Sequence, residues 1–197
     1  GSISATGYYV RGINAYAGNG NITINADSVT TAGGSFYSYG STAIEAIAVT
    51  GAIDITAGTI STEADYSEGV RAVSFGASDV SVSVGSVSTQ GFASNGAFVQ
   101  AGGDATLNAG DISTLGDYAY GAIVLTTQGG DAGFTSTGTV STAGLGAYGV
   151  VAVALNGGDA LVTVNDLTTA GDGAVGIYAA GENALVTVEG DLSTAGV

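Results

Sequence analysis

Aliphatic and hydroxyl residues follow one another in a short phrase that occurs eight times along the chain. Each copy is an Ile, Val or Leu followed by one or two Ser or Thr residues, and successive copies begin 25 to 31 residues apart. The eight copies begin at Ile3, Val29, Ile60, Val87, Ile112, Val140, Leu167 and Leu192. A repeat of this length is typical of a solenoid, in which each unit buries its apolar side only against its neighbours. We therefore expect residues 1–197 to form one repeat domain.

Within one repeat, three apolar runs are separated by turns that contain Gly, Asn or Asp. In residues 140–166 these runs are 140–142, 150–154 and 161–164. Short runs rich in β-branched residues predict β-strands, and no stretch has the 3.6-residue periodicity of an amphipathic helix. Stacked copies of three such strands predict an all-β fold. We expect this fold to be a right-handed, single-stranded parallel β-helix (a β-solenoid) with three short strands per coil and about seven coils of ~27 residues.

The third run of each repeat alternates between aliphatic and polar residues. Val162 and Val164 are predicted to point into the core, and Thr163 between them to point outward. A glycine also stands seven residues after the last Thr of the phrase in five repeats, at Gly69, Gly96, Gly121, Gly149 and Gly176. Such a fixed position predicts a corner whose backbone needs either a positive φ or very close packing.

The charge of the chain is strongly one-sided. It has 17 Asp and Glu residues but only two basic ones, Arg11 and Arg71, with no Lys, His or Cys and a net charge of −15. Such a surface cannot neutralise phosphate groups, so nucleic acids and anionic membranes are not expected as partners. The absence of Cys removes disulfides, thiol nucleophiles and sulfur ligands for metals. No apolar run reaches the ~18 residues that a membrane-spanning helix needs.

The same composition argues against an enzyme. Polysaccharide lyases and hydrolases do use parallel β-helices, but they need clustered Asp together with basic residues on outward strand positions. Here Arg71 has only Glu45, Asp54 and Asp79 as plausible acidic neighbours. We therefore predict a non-enzymatic protein without a catalytic site, and a polysaccharide lyase or hydrolase stays an alternative.

The motif S-T-x-G-x-x-A-Y-G-(I/V)-x-A, followed by G-G-D and V-T-V, is seen best in residues 113–131 and 141–164. It resembles the β-helical passenger domains of bacterial autotransporters and related secreted surface adhesins, and the resemblance covers almost the whole chain. That family implies a right-handed parallel β-helix outside a Gram-negative cell, where it serves as a stalk, an adhesin or a self-associating surface fibre. The expected location is therefore extracellular, at the bacterial cell surface.

An acidic residue recurs in the turn that precedes the third run. The members of this aspartate column are Asp79, Asp104, Asp131 and Asp159. Stacked coils would hold their carboxylates ~5 Å apart, where like charges repel unless a cation lies between them. Ca²⁺ could bridge them, but no other residue completes its coordination sphere, so we expect no cofactor and keep Ca²⁺ as the alternative. The alternative is that each Asp accepts a hydrogen bond from the backbone of its own turn. A second column, Asp111, Asp166 and Asp191, is expected to cap turns in this way.

Aromatic residues concentrate at the corner between the first and second runs. The candidate binding residues of this aromatic corner are Tyr8, Tyr9, Phe36, Tyr37, Tyr39, Tyr66, Tyr118 and Tyr120. Aromatic rings near carboxylates can stack on sugars, so a surface glycan or a receptor is the candidate ligand. The longest insertion, residues 33–43, lies at this corner, and insertions in solenoids often carry binding. The alternative is that the rings only cover the core.

The outward positions of the second run are apolar as well. We expect them to form a continuous face that is buried by lateral association of two copies, because soluble monomers seldom expose so large a patch. The residues of this apolar face are Tyr16, Ile47, Val73, Phe98, Ile123, Leu125, Val151, Val153 and Tyr178. Glu45 and Arg71 are predicted to form an ion pair on it.

The chain begins and ends in a first run, without the polar terminal unit that solenoids need for solubility. We expect either a segment of a longer array or copies that assemble end to end. Together these patterns predict a structural or adhesive extracellular β-solenoid that forms a stalk or fibre with itself as partner. A glycan- or receptor-binding adhesin that uses the aromatic corner is the alternative.

Overall fold

The structure is a computed structural model that describes residues 1–34 and 40–196. The described residues form 18 β-strands and no helix. In chain order the strands are β1 (Ser2–Thr6), β2 (Ile13–Ala17), β3 (Ile22–Ala32), β4 (Ile44–Ala48), β5 (Ile53–Thr62), β6 (Val70–Ser74), β7 (Val80–Thr89), β8 (Ala97–Ala101), β9 (Ala105–Thr114), β10 (Ala122–Thr126), β11 (Ala132–Ser136), β12 (Thr139–Thr142), β13 (Val150–Ala154), β14 (Ala160–Val164), β15 (Asp166–Thr169), β16 (Ile177–Ala180), β17 (Ala184–Val188) and β18 (Leu192–Thr194). The predicted all-β solenoid of about seven coils with ~27-residue spacing is confirmed.

The strands form two sheets, and each strand pairs in parallel with its copies in the coils above and below. The seven-stranded sheet contains the second runs, in the order β16-β13-β10-β8-β6-β4-β2. The eleven-stranded sheet contains the first and third runs. Its pairing register sets like residues over like, so Ile22 lies over Ile53 and Ile53 over Val80. Each coil adds ~4.8 Å to the length of the rod, the usual spacing of paired strands.

The first and third runs are less separate than the sequence suggests. In β3, β5, β7 and β9 the third run of one repeat continues into the first run of the next as a single strand of 10 or 11 residues. Further along, the two runs divide into β11 and β12, β14 and β15, and β17 and β18. Five positions separate Leu107 from Ile112 in β9, but six separate Phe134 from Val140. Because of this additional residue, residues 137 and 138 lie outside the strands, and β11 is separate from β12.

The core is a set of aliphatic columns that run the length of the rod between the two sheets. Val162 and Val164 point inward as predicted, and Val162 is 1% exposed. Phe134 fills the same column in the preceding coil and is the largest completely buried side chain among the described residues. Val186, which pairs with Val162 in the last described coil, is 44% exposed because no further coil lies over it. Burial of an inward residue thus depends on having a coil on both sides.

The two hydroxyl residues of the repeated phrase have different environments. The first is outward and half-buried in most coils, whereas the second is completely enclosed. The enclosed threonines are Thr31, Thr62, Thr89, Thr114, Thr142 and Thr169. Thr62 donates a hydrogen bond to the carbonyl oxygen of Ser67 at 2.9 Å, and Thr114 donates to that of Ala119 at 2.8 Å. These bonds tie the end of the first run to the corner that follows it.

The corner glycines are explained by close packing and not by a positive φ. None of Gly69, Gly96, Gly121, Gly149 and Gly176 has a positive φ. A Cβ atom on Gly149 would lie 2.5 Å from the carbonyl oxygen of Gly176 and 2.9 Å from Leu167 Cδ1. That carbonyl oxygen accepts the N–H of Val150, so it cannot move away without breaking a bond between coils.

We predict that Gly149→Ala destabilises the fold by about 1–3 kcal/mol, the usual effect of forcing a methyl group into filled space. The matched control is Gly133→Ala in β11, where a Cβ would meet nothing closer than 3.8 Å. That change should be neutral or slightly stabilising, because glycine weakens a strand. Urea unfolding followed by circular dichroism measures both. Equal effects of the two substitutions would contradict the close-packing explanation.

A second pair of variants tests the buried threonines. Thr114→Val should lower the free energy of unfolding by about 1 kcal/mol, because the carbonyl of Ala119 loses its donor. Thr142 occupies the same position one coil further on, but its Oγ1 is buried without a hydrogen-bond partner. Thr142→Val should therefore be neutral or stabilising. Urea unfolding distinguishes the two, and a loss of stability in both variants would be the contrary result.

Candidate functional site

The aspartate column forms a hydrogen-bond ladder between coils. The backbone N–H of Asp104 donates to Asp79 Oδ1 at 2.9 Å, and that of Asp131 donates to Asp104 Oδ1 at 2.9 Å. The N–H of Asp159 donates to Asp131 Oδ1 at 2.8 Å in the same manner. The acceptor of each bond lies one coil below its donor, so the idea that each Asp bonds its own turn is wrong. These carboxylates satisfy backbone groups that would otherwise lack a protein partner at the turn.

Asp79, Asp104 and Asp131 are exposed, and Asp159 is half-buried. Among the described residues, no group of three or more Asp or Glu side chains is placed so that it could hold a metal ion. Binding of Ca²⁺ to Asp79, Asp104, Asp131 and Asp159 stays a prediction, and these residues have a structural role in any case.

The second acidic column also bonds to the next coil. Asp111 Oδ1 accepts the N–H of Thr139 at 2.9 Å, and Asp166 Oδ1 accepts the N–H of Asp191 at 2.8 Å. Thr139 and Asp191 each follow the one-residue insertion that separates the third run from the first. A carboxylate therefore supplies the bond that the interrupted backbone ladder lacks. Asp111 and Asp166 thus cap backbone N–H groups as predicted, but these groups belong to the adjacent coil and not to their own turns.

Asp104→Ala should lower the free energy of unfolding by about 1 kcal/mol, because the N–H of Asp131 loses its acceptor. Asp104→Asn keeps an acceptor oxygen and removes one of the stacked negative charges, so we expect it to be at least as stable as the parent. Thermal unfolding with and without Ca²⁺ measures both. The contrary result is that Asp104→Asn lowers the thermal stability as much as Asp104→Ala does, but only when Ca²⁺ is present. The Asp104 carboxylate would then be acting as a cation ligand.

The aromatic corner divides into two groups of rings. Tyr66, Phe92 and Tyr118 form an exposed column with centroid distances of 5.4 and 5.7 Å and interplanar angles of 72° and 73°. Tyr120 and Tyr148 form a half-buried stacked pair at 5.0 Å. The edge-to-face geometry of the column means that the rings do not present one common flat platform.

Of the other candidate residues of the aromatic corner, some are described by the structure and some are not. Tyr8 and Tyr9 are exposed in the first coil. Phe36, Tyr37 and Tyr39 lie outside the described residues. Binding of a glycan or receptor at this corner stays a prediction for Tyr8, Tyr9, Tyr66, Tyr118 and Tyr120.

The corner backbone places a residue in the left-handed region in every later coil. The φ angles are 53° at Tyr66, 49° at Ala93, 54° at Tyr118, 62° at Gly146 and 67° at Gly173. Glycine adopts this conformation without strain, whereas other residues are uncommon in it. The backbone alone therefore gives no reason for tyrosine at two of these positions.

The apolar face is present on the outward side of the seven-stranded sheet. Pairing in register aligns Phe98, Ile123, Val151 and Tyr178 in one column. It aligns Leu125 with Val153 in the column beside it. Tyr16 and Tyr178 are exposed, and Ile47, Phe98, Ile123, Leu125, Val151 and Val153 are half-buried against their neighbours.

Val73 differs from the other members of the apolar face. It lies on the same side of the sheet, between Ile47 and Gln100, but is only 1% exposed. Its neighbours cover it, so the prediction that Val73 offers a contact surface is wrong. Tyr16 and Tyr178, near the two ends of the face, are its most exposed members, and the face residues of β8, β10 and β13 are half-buried.

A polar cleft of about 430 Å³ lies where the seven-stranded sheet meets the corner. Its lining consists of Gly40, Ala93 and the polar side chains of Arg11, Thr42, Glu45, Tyr66, Glu68 and Arg71. Glu45 and Arg71 are register partners on β4 and β6, but they do not form the predicted ion pair. Arg11 Nε instead lies 2.5 Å from Glu45 Oε2, and Arg71 Nη1 lies 3.3 Å from Glu68 Oε2.

Further contacts fix the two charged groups on the side of β6. The Arg71 guanidinium carbon lies 4.9 Å from the ring centroid of Phe98, a cation–π arrangement. Asn95 Nδ2 donates to Glu68 Oε1 at 3.3 Å, while Asn95 Oδ1 accepts the N–H of Tyr120 at 3.0 Å. Burial raises the pKa of Glu68 above its usual value, and the neighbouring Glu45 acts in the same direction, while Arg71 and Asn95 oppose the shift. Glu68 therefore stays protonated to a higher pH than an exposed glutamate.

Sequence reasoning missed Arg11 and Glu68 as site residues. Arg11 precedes β2 and Glu68 precedes β6, so neither has a strand register from which a partner could be inferred. The only signal for Glu68 is its place three residues before Arg71, a spacing at which opposite charges can meet.

In comparisons with protein-family models, with curated proteins and with solved structures, no match to this chain was found. The resemblance to autotransporter passenger domains rests on the sequence motifs alone and stays a prediction. Among the described residues, no helix is long and apolar enough to cross a membrane.

Proposed function

We propose that the protein is a non-enzymatic, extracellular structural or adhesive β-solenoid, and that it associates with a second copy of itself through the apolar face. The observation that carries this proposal is the largely apolar outward surface that continues across β8, β10 and β13. Its outward residues are Phe98, Gln100, Ile123, Leu125, Val151 and Val153. Gln100 is the single polar side chain among them.

The distribution of charge favours this surface over every other strand surface of the rod. Of the 17 acidic residues, Glu45 alone lies in a strand of the seven-stranded sheet. The eleven-stranded sheet carries Asp27, Asp54, Asp111 and Asp166 within its strands. Two chains of net charge −15 repel each other. The electrostatic repulsion is smallest when they approach through surfaces that carry no charged side chains.

The shape of the surface supports a second copy as the occupant. A flat array of aliphatic side chains with a regular ~4.8 Å repeat is complementary to another array of the same kind, and sheets pack face to face ~10 Å apart. A two-fold interface buries the same patch on both partners. Lateral pairing of rods would also give the stiff bundle that a surface stalk or fibre requires.

Ile123→Lys tests the association. It places a charge in the centre of the apolar face, and burying that charge should weaken the dimer at least ~10-fold, which corresponds to about 1.4 kcal/mol. Sedimentation velocity over a range of concentrations measures the dissociation constant, and circular dichroism checks that the variant is folded.

The matched control is Thr135→Lys, an exposed position on the eleven-stranded sheet in the same coil. It changes the net charge by the same amount, so it should leave the dissociation constant as in the parent. A parent protein that stays monomeric at every concentration, or two lysine variants that weaken association equally, would reject the apolar face as the interface.

A further inference from the structure

The chain has only two cationic side chains, Arg11 and Arg71, and both line the polar cleft. They are 39% and 36% exposed, whereas the glutamates beside them are mostly covered. Two guanidinium groups therefore stand at the opening over two carboxylates. Everywhere else on the described surface, acidic side chains have no basic side chain nearby.

The polar groups of the cleft are only partly used within the protein. Arg11 contacts Glu45 through Nε, and Arg71 contacts Glu68 through Nη1. A guanidinium group has five N–H donors and a carboxylate has about four acceptor sites. Most donors of the two arginines are left without a partner among the described residues. The cleft thus offers unused donors and unused acceptors at the same place.

Contacts within the protein hold the charged side chains of the cleft in place before any ligand binds. Arg71 is held between Glu68 and the ring of Phe98. Glu68 is held in turn by Asn95, which is anchored to the backbone of Tyr120. Groups held in place before binding lose little conformational freedom when a ligand arrives.

Tyr66 adds an aromatic ring at the edge of the cleft. Its φ of 53° is one that glycine would adopt without strain, and Gly146 and Gly173 stand at the equivalent position of later coils. Tyr9, Ala93 and Tyr118 share this backbone conformation in other coils, and what distinguishes Tyr66 from the other two tyrosines is that it lines the cleft. A partly exposed ring beside polar groups can pack against the C–H face of a sugar.

We propose that this cleft binds a neutral saccharide, whose vicinal hydroxyl groups meet the arginine donors and glutamate acceptors while one sugar face packs on Tyr66. A hydroxyl group both donates and accepts, so a diol matches a site that presents both kinds of partner. The ion pairs make the four charged side chains neutral in sum, and the rest of the chain is acidic and repels polyanions. Neutral sugars are therefore favoured over uronic acids. The proposal does not depend on association through the apolar face.

The first experiment screens the labelled protein against an array of neutral and acidic glycans. Retention of a neutral glycan is expected, and that glycan is then titrated into ¹⁵N-labelled protein, with shifts expected at the Nε–H signals of Arg11 and Arg71. Retention of uronic-acid glycans alone would overturn the proposed ligand class. Retention of no glycan at all would overturn the site. Repeating the screen with Ile123→Lys separates this result from self-association, because binding should persist in that variant.

The second experiment uses matched variants. Tyr66→Ala and Glu68→Gln should each weaken binding at least ~10-fold, or about 1.4 kcal/mol. Tyr118→Ala is the control, since Tyr118 has the same backbone conformation and belongs to the same ring column but does not line the cleft. It should leave the dissociation constant unchanged. If Tyr118→Ala weakened binding as much as Tyr66→Ala, the aromatic column and not the cleft would be the site. Far-UV circular dichroism confirms that each variant is folded, and Arg11→Gln provides an independent test should one of them unfold.

Discussion

Parallel pairing of each strand with its copy in the next coil is the constraint on which the rest of the structure depends. It forces every coil to follow the same path, so an inward position must be filled by a side chain that packs against its own equivalents above and below. Val162 is buried because Phe134 and Val186 flank it, while Val186 with one neighbour is largely exposed. Stability in such a rod is a sum over coil interfaces, and no single coil has a core of its own.

The same constraint explains the polar residues that recur. A turn between short strands leaves backbone N–H groups that the main-chain ladder does not reach, and these need acceptors. Asp104 and Asp111 meet this need by accepting from the coil above, and Thr114 meets a related need by donating to the carbonyl of its own corner. Repetition of Asp and Thr in this chain is thus a property of the scaffold.

Much of this architecture follows from the sequence because alternation and spacing are repeated in every coil. The inward columns, the parallel stacking and the glycine corner were all predictable from such repetition. The joining of two runs into single strands such as β9 was not, since Val162 and Leu167 have the same five-position spacing as Leu107 and Ile112 and yet lie in the separate strands β14 and β15. The direction of the Asp104 hydrogen bond was also beyond reach, because it depends on the position of the neighbouring coil, which no periodicity specifies. The contact between Arg71 and Glu68 is local, but its spacing alone did not indicate that the two side chains line a cleft with Arg11 and Glu45.

Positions that depart from the repeat without benefit to the fold are therefore informative about function. The residue before the corner glycine is Glu68, Asn95, Tyr120, Tyr148 or Val175, so the fold accepts uncharged groups there. A glutamate at this place carries a desolvation penalty, which is why burial raises the pKa of Glu68. The positive φ of Tyr66 is shared by Tyr9, Ala93 and Tyr118, so it belongs to the repeat and not to the cleft. A buried glutamate that lines one cleft together with both arginines of the chain marks a site whose chemistry the scaffold alone does not require.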